Sequence, residues 1–65
     1  MIYESSKDHG TGAILMLFDG EPPSQTEIDE YLTENYGIGV TGTVEVEPPS
    51  VFRGMHNPGT ITVNP

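Results

Sequence analysis

The residues best suited to chemistry are a glycine-rich segment near the middle of the chain. Gly37-Ile38-Gly39-Val40-Thr41-Gly42 fits the pattern G-x-G-x-x-G, which binds the pyrophosphate of a dinucleotide where it follows a strand and opens a helix. Here the segment follows a predicted helix and opens a predicted strand, so no helix N-terminus would face the phosphates. We therefore interpret these glycines as a helix cap and a glycine-softened strand, and we expect no cofactor.

The two histidines are the next candidates for chemistry. His9 has Asp8 beside it in the sequence, and His56 is far from both. A zinc site needs three or four ligands at close spacing, and no His-x-x-His pair is present. None of the serines lies in a nucleophile-elbow motif: Ser5, Ser6, Ser24 and Ser50. We expect no metal site and no catalytic residue, so the chain is not predicted to be an enzyme.

Acidic residues recur along the predicted helix. Glu27, Glu30 and Glu34 lie at i, i+3 and i+7 and therefore share one helix face. A solvated face is the ordinary interpretation. The alternative is a surface that mimics the phosphates of DNA, which Asp19 and Glu21 would extend. Three carboxylates make a short row beside duplex DNA, which carries a charge about every 1.7 Å, so the solvated face is preferred.

Two segments carry side chains of the types found at the centres of protein interfaces, namely aromatic residues, methionine and arginine. The candidate interface residues are Met1, Ile2, Tyr3, Val51, Phe52, Arg53 and Met55. The alternative for the second segment is a core loop, in which Phe52 or Met55 closes over the helix. Both interpretations stay open on the sequence.

Charge and size limit the possible functions. The 65 residues include ten Asp or Glu and only two Lys or Arg, for a net charge of −8. Direct binding to DNA, RNA or an anionic membrane needs a basic surface, so these partners are not expected. A globule of this size buries only about 60% of its unfolded surface, and without cysteine it has no disulfide to stabilise it. A protein partner is the remaining source of stability.

The N-terminus and the longest apolar run bear on localisation. Met1-Ile2-Tyr3-Glu4 lacks the positive charge of a signal peptide, and residues 13–18 are too few for a signal core or a membrane span. We expect a soluble protein made in a cytoplasm.

One helix is predicted, over residues 25–36. Ser24-Gln25-Thr26-Glu27 fits a capping box, in which Ser24 accepts from the Glu27 amide and Glu27 accepts from the Ser24 amide. The apolar positions Ile28, Tyr31, Leu32 and Tyr36 then follow the helical period. Asn35 or Gly37 would end the helix in a left-handed conformation. We expect the Ile28-Leu32 stripe to pack on the strand of residues 13–18.

The remaining chain predicts strands. Residues 13–18 (AILMLF) are continuously apolar, as in a central strand buried on both faces. Residues 38–47 alternate, with Val40, Gly42, Val44 and Val46 on one face. A type II turn at Pro58-Gly59 would precede a last strand over residues 60–63, and residues 51–56 could add another. The fold class is α+β: one loop-rich β-α-β-β domain spanning residues 1–65, in which one helix packs on a short, mostly antiparallel sheet. Residues 1–12 form an extended arm or a short edge strand.

Residues 12–23, Gly12-Ala13-Ile14-Leu15-Met16-Leu17-Phe18-Asp19-Gly20-Glu21-Pro22-Pro23, form a hydrophobic strand that runs into an aromatic residue, a polar residue, a glycine and then proline. This segment resembles one found in small bacteriophage virion structural proteins. The resemblance implies a capsid or tail component, located in the virion, without an active site. The expected partners are other protein subunits; the alternative function is a small acidic, cytoplasmic inhibitor that mimics DNA and binds a nucleic-acid-handling protein.

Overall fold

The structure is a computed structural model that describes residues 1–40 and 42–65. About 19% of it is helix and 44% is strand, which confirms the predicted α+β class. In chain order the elements are β1 (Ile2–Lys7), β2 (Ile14–Phe18), α1 (Gln25–Tyr36), β3 (Thr43–Glu47), β4 (Ser50–Phe52), β5 (Met55–Asn57) and β6 (Gly59–Asn64).

The main sheet has four strands in the order β1-β2-β6-β3. Every neighbouring pair is antiparallel, so the first and last strands of the chain, β1 and β6, both lie against β2. The strand predicted from the apolar run is indeed central. The N-terminal segment, predicted as an extended arm or a short edge strand, forms the edge strand β1, with a bulge between Ile2 and Glu4.

Helix α1 begins and ends at the predicted residues. The Ser24 hydroxyl accepts a hydrogen bond from the Glu27 amide at 3.2 Å. The predicted return bond, from the Ser24 amide to the Glu27 carboxylate, is not formed between these two described residues. At the other end Gly37 has φ of 70° and donates its amide to the Thr33 carbonyl, which is the left-handed cap that glycine favours.

One side of the sheet and one stripe of α1 form the core. Ile28 and Leu32 of the helix pack against the inward residues of the two central strands, as the sequence predicts. The buried residues of those strands are Ile14, Met16 and Phe18 of β2, with Ile61 and Val63 of β6. Three elements therefore share a single hydrophobic core.

A cluster of hydroxyl groups joins the edge strand to the helix. The Ser5 hydroxyl of β1 lies 2.8 Å from the hydroxyls of both Tyr31 and Tyr36. The two tyrosine rings pack against the core, so their polar ends meet above β1. Strand β1 is thus held by the helix as well as by its ladder with β2.

Two of the predicted strands need correction. Strand β3 begins at Thr43, later than the predicted Ile38: the 38–40 segment is held to α1, where the Val40 amide donates to Asp29 Oδ1 at 2.9 Å. Thr41, which belongs to both that prediction and the glycine-rich segment, lies outside the described residues. Residues 51–56 do not form one additional strand, because a turn at Arg53-Gly54 divides them into two.

The prediction that residues 13–18 are buried on both faces is also wrong. Ile14, Met16 and Phe18 are buried, whereas Leu15 is 42% exposed on the face away from α1. The physical reason is the number of layers: one helix covers one face of the sheet, and no second layer of the described chain covers the other.

The predicted type II turn at Pro58-Gly59 is absent. Gly59 does not have the positive φ that the turn requires; it is the first residue of β6 and is opposite Phe18. A Cβ atom at Gly59 would meet the Phe18 ring. Glycine is therefore needed there for space, not for an unusual backbone conformation.

None of the described helices is long and apolar enough to cross a membrane.

Candidate protein-interaction surface

Strands β4 and β5 form a ribbon that extends the β3–β6 hairpin. Glu47 is opposite Thr60 in the first ladder, and Ser50 is opposite Asn57 in the second. Both strands advance three residues between these pairs, so the two ladders keep one register across an interruption at Pro48, Pro49 and Pro58. At roughly 3.3 Å per residue, residues 48–52 span about 16 Å. We call residues 48–58 the ribbon.

The tip of the ribbon is apolar and exposed. Val51, Phe52 and Met55 are 64, 65 and 67% exposed, and Phe52 is directly opposite Met55. These values contradict the alternative that Phe52 or Met55 closes over the helix. Since a two-stranded hairpin is only marginally stable alone in water, large apolar side chains at its tip are suited to contact with another molecule.

The turn of the ribbon has an unusual residue in a strained position. Arg53 and Gly54 have φ of 52° and 77°, as in the two-residue type I′ turn that prefers Asn-Gly. Positive φ is sterically unfavourable for arginine, whereas asparagine adopts it more readily. The Arg53 guanidinium carbon lies 5.3 Å from the centre of the Phe52 ring, within the range of a cation–π contact. A cation and an aromatic ring are thus presented together at the tip.

A groove at the base of the ribbon brings two of the predicted interface segments together. Tyr3 of β1 lines it with Val51 and His56 of the ribbon. The groove holds about 330 Å³, at the lower end of the range of small-molecule sites. Its walls also include Asp19, Pro49, Ser50, Asn57 and Pro58. The structure therefore makes a continuous surface from Tyr3 to the ribbon tip.

The other two predicted N-terminal residues lie elsewhere. Met1 and Ile2 border a shallow depression along α1. Ile2 is partly buried and packs against the core, so it supports the fold. Met1 is exposed, and its ammonium group donates to the Asp19 carbonyl at 3.2 Å.

The same depression contains the predicted acidic face. Glu27, Glu30 and Glu34 are all exposed and line it together with Tyr31. The three carboxylates thus share one surface, as the spacing predicts. Asp19, which was expected to extend this surface, lies at the groove below the ribbon.

The residues considered for metal binding or catalysis are dispersed. His56 is on the ribbon, whereas His9 is in the loop at the opposite end of β2. Within residues 1–40 and 42–65, no three His, Cys, Asp or Glu side chains are placed to hold a metal ion.

In the glycine-rich segment, Gly37 acts as the helix cap. Gly42 lies so close to the Asn64 carbonyl that no Cβ would fit.

Asp8 has a structural role in the β1–β2 loop. Its carboxylate accepts from the Gly10 amide at 2.8 Å and from the Thr11 amide at 3.4 Å. These hydrogen bonds hold the pKa of Asp8 below its ordinary 3.8, because they stabilise the charged form. The carboxylate holds the loop in its conformation, so the role of Asp8 is structural.

The sequence did not identify the exposed leucines of β2 as surface residues. Leu15 and Leu17 lie on the sheet face away from α1, where Leu15 is exposed and Leu17 is partly buried. The length of the chain does indicate an exposed sheet face, because a chain of this size with one predicted helix can cover only one face of a sheet. The continuous apolar run, taken alone, predicts burial on both faces.

Comparison of the chain with protein-family models, with curated proteins and with solved structures finds no match.

Proposed function

We propose that this chain is a non-enzymatic structural or accessory component of a virus particle, and that it acts by contact with other protein subunits. The observation that carries the proposal is the ribbon: an extension of the sheet with Val51, Phe52 and Met55 about two-thirds exposed at its tip. Aromatic and methionine side chains are enriched at interface centres, and an element that projects from the domain can reach into a neighbouring subunit.

The strained turn supports the same proposal. Unfavourable backbone conformations cluster at functional positions, and Arg53 occupies a position where asparagine or glycine would form the turn with less strain. Stacked on Phe52, the guanidinium gives the tip a cation in a protein whose net charge is −8. A partner with an apolar pocket bordered by carboxylates would bind this tip.

The bacteriophage assignment comes from the resemblance of residues 12–23 to virion structural proteins. That segment forms β2 and the turn after it, which position the N-terminal strand and α1. We accordingly place the chain in a capsid or tail.

A second candidate function is an acidic inhibitor that occupies a basic surface on a nucleic-acid-handling protein. The observation in its favour is that Glu27, Glu30 and Glu34 lie side by side and exposed in one depression. Over seven residues of helix at 1.5 Å each, they span about 10 Å, which is short beside a DNA-binding channel. The ribbon has no role in this function.

One experiment separates the two. The tagged chain is recovered from its native source by sedimentation and affinity capture, and its associated proteins are identified by mass spectrometry. Variants Phe52→Asp and Glu27→Gln/Glu30→Gln/Glu34→Gln are compared with the unchanged chain. For a particle component, several subunits co-sediment, Phe52→Asp abolishes association and the triple variant retains it.

The opposite pattern would refute the particle proposal. A single nucleic-acid enzyme, bound in a strongly salt-dependent manner and lost with the triple variant but not with Phe52→Asp, would establish the inhibitor. Arg53→Asn is a useful control, since Asn-Gly keeps the turn while the cation is removed. Because Phe52 is exposed, its variant should melt like the unchanged chain.

A further inference from the structure

The face of the sheet away from α1, which we call the outer face, has an ordered pattern of side chains. The strand registers place residues in two rows that each cross all four strands of the main sheet. The rows are Ser6-Leu15-Thr62-Glu45 and Glu4-Leu17-Thr60-Glu47. Leucines therefore occupy β2 in both rows, threonines occupy β6, and glutamates occupy β3.

The leucines are out of place on a solvated face. An antiparallel sheet with one wet face normally alternates apolar and polar residues along each strand, as β6 does with Thr60 and Thr62. Strand β2 does not alternate: Leu15 is 42% exposed and Leu17 is partly buried. No layer of the described residues covers this pair, although the sequence of β2 is that of a strand covered on both faces.

Charge surrounds the leucines on the same face. Glu4 lies on one side, and Glu45 and Glu47 lie on the other, across rows that are about 14 Å wide at roughly 4.8 Å per strand. Neither the lysine nor the arginine of the chain is on this face: Lys7 is opposite the buried Ile14, on the helix side, and Arg53 is at the ribbon tip. The outer face is thus an apolar centre between two acidic margins.

We infer that the outer face docks against a partner subunit whose contact surface carries apolar side chains between lysines or arginines. This inference rests on the proposed function and adds the chemistry of the partner. Apolar side chains would cover Leu15 and Leu17, while cations would pair with the glutamates at the margins. A second copy of the chain does not fit, because two outer faces would bring six carboxylates together between molecules of net charge −8.

The test uses the full chain, labelled with ¹⁵N, and two synthetic helical peptides. One peptide has leucines along one side and lysines flanking them; the control has glutamate in place of every lysine. We expect saturable amide shifts centred on Leu15 and Leu17 with the leucine–lysine peptide only. Leu15→Thr/Leu17→Thr should weaken this binding about tenfold or more because the apolar area is lost.

Matched variants make the result specific. Threonine suits a strand, so Leu15→Thr/Leu17→Thr should fold and melt like the unchanged chain. Glu45→Gln/Glu47→Gln should weaken binding and flatten its salt dependence. Shifts centred on α1, equal binding of both peptides, or no saturable shift would each overturn the inference.

Failure of this inference can be distinguished from failure of the proposed function. Phe52→Asp should leave peptide binding unchanged, since the ribbon is not part of the outer face. If the peptide does not bind while Phe52→Asp still abolishes particle association, only the outer-face inference fails. If the peptide binds at Leu15 and Leu17 while Phe52→Asp associates normally, only the ribbon proposal fails.

Discussion

The contact between Gly59 and Phe18 is the sharpest test of the core. The two residues are directly opposite in the β2–β6 ladder, and the Phe18 side chain is fully buried. A Cβ atom at Gly59 would meet three carbons of the Phe18 ring. The ring therefore covers the glycine, and the perturbation of interest is Gly59→Ala.

Two opposing effects decide the size of the change. An alanine in a strand loses less backbone entropy than glycine, which stabilises by roughly 0.5–1 kcal/mol. Forcing a methyl group into a filled core costs about 1–3 kcal/mol, and Phe18 has no exposed side toward which it could move. The clash is the larger effect, so we expect a net loss of up to about 2.5 kcal/mol in the free energy of unfolding. At about 4–8 °C per kcal/mol, the melting temperature should fall by up to about 20 °C.

A double-mutant cycle isolates the contact. Phe18→Leu removes the ring and destabilises the core by itself. In that background the added methyl has space, so Gly59→Ala should be neutral or stabilising. The four proteins are compared by urea and thermal unfolding. Equal destabilisation by Gly59→Ala in both backgrounds would refute the packing argument.

Two further predictions concern the helix and the loop. Leu32→Ala should lower the free energy of unfolding by roughly 2–5 kcal/mol, since Leu32 is fully buried; an unchanged urea midpoint would contradict its place in the core. Asp8→Asn should lower the melting temperature at neutral pH, because the charged acceptor for Gly10 is lost. The pKa of Asp8 is lower in the folded protein than in the unfolded chain. Its contribution to stability is therefore full above the unfolded pKa and is lost as the pH falls through the folded pKa. The melting temperatures of the two proteins should converge below about pH 4, and a constant difference down to pH 2 would contradict this role.

Local signals in the sequence were sufficient for the helix. Ser24 and Gly37 mark its two ends, and the Ile28-Leu32 stripe identifies the buried side. Each of these features depends on residues within one or two turns of one another. The last strand, which alternates over residues 60–63, was predictable for the same reason: its period of two is local.

The errors arose where distant residues decide the structure. Gly59 looked like a turn residue after Pro58, and only its pairing with Phe18 shows why glycine is required. The ribbon could not be predicted because the pairing of β4 with β5 continues the register of the β3–β6 ladder, and three prolines interrupt the sequence between the two ladders. Whether Phe52 is core or surface could not follow from its type, since the same side chain suits both.

Strand β2 has apolar side chains on both of its faces. Its inward residues Ile14, Met16 and Phe18 form the core with α1 and β6, while Leu15 and Leu17 belong to the outer face. A strand that needed only one covered face could carry polar residues at positions 15 and 17 and would be less prone to unwanted association. Leucine at both positions gives the strand a second apolar face. Polar substitutions on the two faces should therefore have different effects: those at inward positions should lower the melting temperature, and those at positions 15 and 17 should weaken the proposed association.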